Sequence, residues 1–194
     1  MFVSNQNLKS LYLIARVLSM AMNLGFLTIV QENGSYQGGY LVTNLWGRPL
    51  EFRLSSAVQP NRLQQILYGG TLRPYLCADL IGKILLDKTG TPARCILTDC
   101  EAALDLRLRI DVPVVWLAPS RDPVAEDLAE EGASVSSPPN REGLWIVHPR
   151  FPGDRTAVAE LLERVDGSVQ LAEPFLRIRE ALAEAHKMGV ARSA

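Results

Sequence analysis

The sequence predicts an α/β protein in which a three-stranded antiparallel meander leads into alternating helices and strands of one mixed sheet. Three observations carry this. Asn33-Gly34 separates two β-rich runs, LGFLTIVQE and SYQGGYLVT, and this pair most readily supplies positive φ at both centres of a type I′ hairpin turn. In PLEFRLSS, Leu50, Phe52 and Leu54 alternate with Glu51 and Arg53, the period of a strand with one wet face. After Pro60 the apolar spacing changes from two to three and four, the period of a helix.

Taken in order, the first strand is predicted over Leu24 to Val30 and the second over the run after Gly34, with the third following the polar turn Asn44 to Arg48. Gly38 and Gly39 lack the Lys-Ser/Thr or helix start that a phosphate loop needs, so a bulge or close packing in the second strand is the expected use. NRLQQILYG places Leu63, Ile66 and Leu67 on one helical face and stops at Gly69-Gly70. LRPYLCADLIGKILLDKTG places Leu76, Leu80, Ile81, Ile84 and Leu85 at helical spacing and ends on Lys88 and Gly90. A short apolar strand is predicted from Arg94 to Thr98, a helix from Asp99, and a buried strand, VPVVWLA, from Val112 to Ala118; between the strands, Leu104, Leu106, Leu108 and Ile110 alternate in a way that fits an extended segment equally well. Asp122-Pro123 starts a helix that ends near Gly132, because an acid at the N-cap and proline in the first turn are favoured there. A turn-rich loop, Ser134 to Gly143, precedes the strand LWIVH, and two amphipathic helices close the chain through Val158, Leu161, Leu162 and Val165, then Phe175, Ile178, Leu182 and Ala185.

The segment Ser10 to Val30 is long and apolar enough to suggest a membrane span or a signal sequence. Arg16 in its middle, the lack of a small-residue cleavage site, and the use of Leu24 to Val30 as a strand argue against both. Translation from Met20 or Met22 would open directly on the first strand. The chain therefore divides into an apolar extension over 1–21, an α/β core over 22–133, and a C-terminal strand and two helices over 134–194 packed on the same core.

Composition narrows the function classes. The chain has 194 residues, 47% of them apolar, enough for one substantial core. Its 20 basic and 21 acidic side chains give a formal charge of -1, so no whole-molecule field holds it on phosphate or anionic lipid. Three cysteines, Cys77, Cys95 and Cys100, have no disulfide-framework spacing and suit a reducing cytoplasm. They also lack the close pairs of a zinc site. The expected setting is cytoplasmic.

Three antiparallel strands followed by helix, strand, helix, strand, helix, with Thr98-Asp99 at the end of the fourth strand, is similar to the ribonuclease H-like superfamily over roughly Leu24 to Gly132. The resemblance implies a site for two divalent metals between carboxylates of the first strand, the first helix and the end of the fourth strand. Carried onto this chain, it implies Asp99 and Asp79 as ligands for Mg²⁺ or Mn²⁺ and Glu32 as a third catalytic acid. The first strand, LGFLTIV, holds no acid, and Glu32 lies at the hairpin instead. The implied carboxylate site is thus degenerate.

The residues themselves offer another use for these acids. Thr98 and Glu101 have the spacing of a capping box, with Asp99 in the first turn where the helix dipole favours negative charge. His148 and Arg150, after the strand LWIV, lie where parallel strands deliver residues to an α/β crevice. With Glu101 they are the ligand-binding candidates. Arg48, Arg53, Arg62 and Arg73, with Tyr36, Tyr40, Trp46 and Tyr68 nearby in sequence, form the candidate nucleic-acid surface.

The sequence thus reads as a non-catalytic binding or regulatory module that needs no cofactor and docks on a protein partner, with no membrane role. The alternative is a metal-dependent nuclease of ribonuclease H-like type with a degenerate carboxylate site. A third class is small-molecule binding at the strand ends near Asp99 and His148. Three carboxylates converging on one crevice would favour the nuclease; an Asp99 turned into its own helix start, with Glu32 far away, would favour the module; a closed apolar pocket at the strand ends would favour a ligand.

Overall fold

A computed structural model describes residues 22–119, 121–135 and 143–189. The sequence reading of 1–21 as an extension lies outside the described residues. Strands β1 (Leu24–Glu32), β2 (Ser35–Thr43) and β3 (Pro49–Leu54) form the meander. Asn33 and Gly34 take φ of 50° and 77°, the left-handed conformation that the turn requires. Helix α1 (Arg62–Tyr68) follows, then a helical segment α2 over 72–87 whose middle, Tyr75–Gly82, is a π-helix. Next come β4 (Cys95–Thr98), a 3₁₀ helix (Glu101–Leu108), β5 (Val114–Ala118), α3 (Pro123–Glu130), β6 (Ser134–Val135), β7 (Leu144–Val147), α4 (Asp154–Glu163) and α5 (Glu173–Lys187).

Among the described residues seven strands join one mixed sheet in the order β3-β2-β1-β4-β5-β7-β6. β4 is parallel to β1 and β5, whereas β7 runs antiparallel to β5. The strands CILT, VVWLA and LWIV are nearly all apolar because helices cover both faces. On one face Leu27, Ile81, Ile96, Leu106, Trp116 and Ile146 pack together beneath α2, the 3₁₀ helix and α3. On the other Phe26, Leu97, Val115, Trp145, Leu162 and Phe175 pack beneath α4 and α5. Phe26 meets Phe175 edge to face with ring centroids 5.6 Å apart, and each such fully buried ring contributes about 2–3 kcal/mol.

The paired glycines of β2 are explained by close packing rather than a bulge. A Cβ on Gly38 would collide with Ile81 of α2, and one on Gly39 with Ile178 of α5, so both covering helices approach the strand where it has no side chain. The ladder is irregular elsewhere, between Val42 and Thr43. Asp122 caps α3 as expected, its carboxylate accepting from the amides of Val124 and Ala125. α1 departs from the amphipathic expectation. It is held by a capping box between Asn61 and Gln64, yet buries none of its residues, and Leu63, Ile66 and Leu67 stand 63–72% exposed.

The capping box expected at Thr98 and Glu101 does not form. The helix there is 3₁₀ and begins at Glu101 after Cys100, so the Thr98 hydroxyl accepts from the Cys100 amide at 3.1 Å. Glu101 turns away to pair with Arg73 at 3.2 Å.

Among the described residues no helix is long and apolar enough to cross a membrane. Leu24 to Val30 belong to β1.

Candidate functional site

Strand parity decides what meets Asp99. Leu27 faces the α2 side of the sheet, so Phe26 and Thr28 face α5; Leu97 does likewise, and Asp99, two residues on, follows it. β1 and β4 pair Leu27 with Thr98, which sets Thr28 beside Asp99. The Thr28 hydroxyl donates to Asp99 Oδ2 at 3.4 Å, and the guanidinium of Arg179, from α5, bonds the same oxygen. The Asp99 side chain is 15% exposed and that of Arg179 is 46% exposed. Burial pushes the Asp99 carboxyl above the usual carboxylate range, opposed by the Arg179 charge and the Thr28 hydrogen bond.

These groups lie at a crevice of about 360 Å³ at the carboxyl ends of β4 and β5. Leu117, Pro119, Leu144, Trp145, Phe175 and Leu176 supply most of its wall, with Asp99 and Arg179 as its charged members. Trp145 is 2% exposed, and among the described residues its indole N–H has no acceptor. The crevice therefore combines one half-free guanidinium, one shielded carboxylate and apolar sides. That combination can orient an anionic group attached to an apolar body.

The other acids are elsewhere. Asp79 belongs to α2, on the opposite face of the sheet, and forms an ion pair with Arg109. Glu32 is exposed at the hairpin end of β1, four residues from Thr28 and so ~13 Å along the strand. The place in the first strand where the resemblance implies an acid is held by Thr28. Among the described residues no three His, Cys, Asp or Glu side chains gather as a metal would need. Two hard cations require several converging oxygen ligands, and the donors around Asp99 are a hydroxyl and a guanidinium. The residues present do not fit the implied Mg²⁺ or Mn²⁺ pair.

The ligand-binding candidates do not converge either. Because β7 is antiparallel to β5, with Val147 opposite Val115 and Leu144 opposite Ala118, His148 emerges at the end of the sheet opposite Asp99. Its Nδ1 accepts from the Arg150 amide at 3.1 Å, and its Nε2 lies 3.4 Å from Asp105 Oδ1. Both ring nitrogens are used, and burial holds its pKa below the ordinary 6.5 against the pull of Asp105. Beside it Arg107 is bidentate to Asp154 at 2.6 and 3.3 Å, donates to the Ile110 carbonyl, and lies 4.0 Å over the Phe151 ring. Arg150 is exposed. Glu101 is paired with Arg73 beyond the start of the 3₁₀ helix.

The candidate nucleic-acid residues are scattered. Arg48 and Trp46 sit on the β2–β3 turn, Arg53 pairs with Glu51, and Arg62 and Tyr68 are on α1. Tyr40 is only 2% exposed and presents no ring to a base. Sequence reasoning missed Arg179, Thr28 and Trp145. Thr28 carried a usable signal as the lone hydroxyl in the apolar run LGFLTIV; Arg179 carried none, being one of several charges on an amphipathic helix.

No protein-family model matches the chain, and no curated protein matches it. Among solved structures it is similar to Ciona intestinalis Endonuclease V in two complexes. A singly substituted form, bound to a 23mer DNA containing an inosine followed by a ribo-adenosine, is 10% identical with a TM-score of 0.48, covering 96% of this chain and 100% of that one. A second structure, with a 24mer DNA of the same kind, is 12% identical with a TM-score of 0.48, covering 88% of each. The architecture is a mixed α/β sheet with an N-terminal meander, in the element order of the ribonuclease H-like fold.

Proposed function

We propose that this chain is a non-hydrolytic binding module of ribonuclease H-like architecture, and that the crevice beside Asp99 and Arg179 is its ligand site. The observation that carries the proposal is the closure of Asp99 by Arg179 and Thr28, where metal chemistry would need further carboxylates. Arg179 engages one oxygen of Asp99 and keeps donors and exposure to spare, which suits a phosphate. The apolar walls suit a sugar and base. The ligand class is therefore a nucleotide unit, free or within a strand.

The test is fluorescence titration with nucleoside mono- and triphosphates and with short single-stranded DNA and RNA, on the wild type and Arg179→Ala. Binding that weakens at least about tenfold in the variant is expected for a lost charge-assisted phosphate contact. No binding by any of these probes, or binding that ignores the substitution, overturns the reading.

The second reading is a nuclease, the activity named for the Ciona structures. It rests here on the position of Asp99 at the end of β4, where the superfamily resemblance implies a catalytic acid. Labelled DNA and RNA incubated with the protein and millimolar Mn²⁺ test it. Cleavage that Asp99→Asn abolishes would establish this reading and displace the first.

A further inference from the structure

On the α2 side of the sheet, the face opposite the one on which Asp99 meets Arg179, two thiols face each other. Cys77, in the π-helical part of α2, and Cys100, just past β4, place their Sγ atoms 3.9 Å apart. They are separated by 23 residues in sequence, so only the fold brings them together. Cys95, the third cysteine, faces the opposite side of the sheet among Leu97 and Val115. We propose that Cys77 and Cys100 form a reversible disulfide under oxidation by a hydroperoxide, making this pair a redox-modification site independent of the ligand reading above.

Three observations support the assignment. The sulfurs, already in contact at 3.9 Å, need to close by ~1.9 Å to reach bonding distance. Each sits where the backbone is least regular: a π-helix has wider and weaker turns than an α-helix, and Cys100 joins a strand to a 3₁₀ helix. Finally, the pair is unequal in access, with Cys100 8% exposed and Cys77 1%, so a small oxidant meets Cys100 first.

The chemistry balances with hydrogen peroxide as the oxidant. Peroxide transfers an oxygen to the Cys100 sulfur, giving a sulfenic acid and releasing water. The Cys77 sulfur then displaces the hydroxyl, forming the S–S bond and releasing a second water. Two thiols lose two electrons and two hydrogens, and the O–O bond is cleaved and reduced. A thiol reductant reverses the step by exchange.

The experiment treats the native full chain with millimolar hydrogen peroxide, then denatures it in N-ethylmaleimide and measures intact and peptide masses. The reduced chain takes three maleimides, one on each cysteine. After peroxide we expect one maleimide, on Cys95, with a peptide pair linked through Cys77 and Cys100 that dithiothreitol separates. The same oxidation in guanidinium should lose this selectivity and yield bridges that include Cys95. Retention of three maleimides, a native bridge that uses Cys95, or Cys100 driven to sulfinic acid with Cys77 still alkylated would each overturn the proposal.

Discussion

Two arginine–aspartate pairs mark the two ends of the central sheet, and they differ in what surrounds the guanidinium. At the His148 end, Arg107 and Asp154 are 14% and 12% exposed, and the guanidinium also meets the Ile110 carbonyl and the Phe151 ring. At the crevice end, Arg179 is 46% exposed and is held by one oxygen of Asp99. The same two residue types make a closed clamp in one place and a half-open pair in the other. The difference comes from packing: the clamp is roofed by the turn Phe151 to Asp154, whereas α5 leaves open the crevice into which Arg179 reaches. A saturated pair stabilises the fold, and a half-saturated one keeps hydrogen-bond donors for something else.

The largest expected effect tests the clamp. Arg107→Ala leaves the Asp154 carboxylate shielded and unpaired and is expected to cost about 3 kcal/mol, read from urea unfolding. Arg179→Ala is expected to cost less, about 1–2 kcal/mol, because solvent screens the 46% exposed guanidinium and the Thr28 hydroxyl still donates to the shielded Asp99 carboxylate. Equal costs would erase the distinction between the two ends.

The next effect is a pH dependence at Glu51 of β3, away from the crevice pair. Hydrogen bonds from the Thr91 side chain, then the Gly90 amide, Arg53 and the Thr91 amide, hold the Glu51 carboxylate at about 2, below its ordinary 4.5. The unfolded chain binds this proton first, so the stabilisation is present above pH 4.5 and is lost as pH falls toward 2. Glu51→Gln should flatten the acid limb of a plot of Tm against pH; an unchanged limb would remove Glu51 from the account.

His148 supplies a smaller slope at higher pH. Its folded pKa is depressed below 6.5 by burial, so the unfolded state takes up the proton first and stability falls as pH drops below about 6.5. His148→Asn should flatten Tm between pH 7 and 5, and a steeper slope would mean that the protonated ring is the favoured form, bound to Asp105.

How much of this was legible in the sequence follows from the range of each interaction. The Asn33-Gly34 turn and the Asp122-Pro123 helix start are local, and the structure reproduces them; the alternation of β3 holds from Phe52 to Leu54 but is reversed at its start, where Leu50 is 45% exposed and Glu51 is partly buried. The strand direction of β7 is not local. LWIVH reads the same whether it runs parallel or antiparallel to β5, and that one choice moves His148 from the crevice to the far end. The capping signature at Thr98 failed for a related reason: Arg73 of α2 draws Glu101 away, an interaction across 28 residues. Asp99 was found from its place at a strand end, but its partner Arg179 lies 80 residues on. The apolar face of α1 was legible as a pattern, while its exposure was not.

The central claim is that a guanidinium and a hydroxyl, and not a metal ion, balance Asp99. The measurement that tests it most directly is thermal unfolding of the wild type and Asp99→Asn with and without millimolar Mn²⁺, since a ligand that binds only the native state raises Tm. The account predicts no Mn²⁺-dependent rise in either protein. A rise of several degrees in the wild type that Asp99→Asn loses would contradict it and place a metal site at the end of β4.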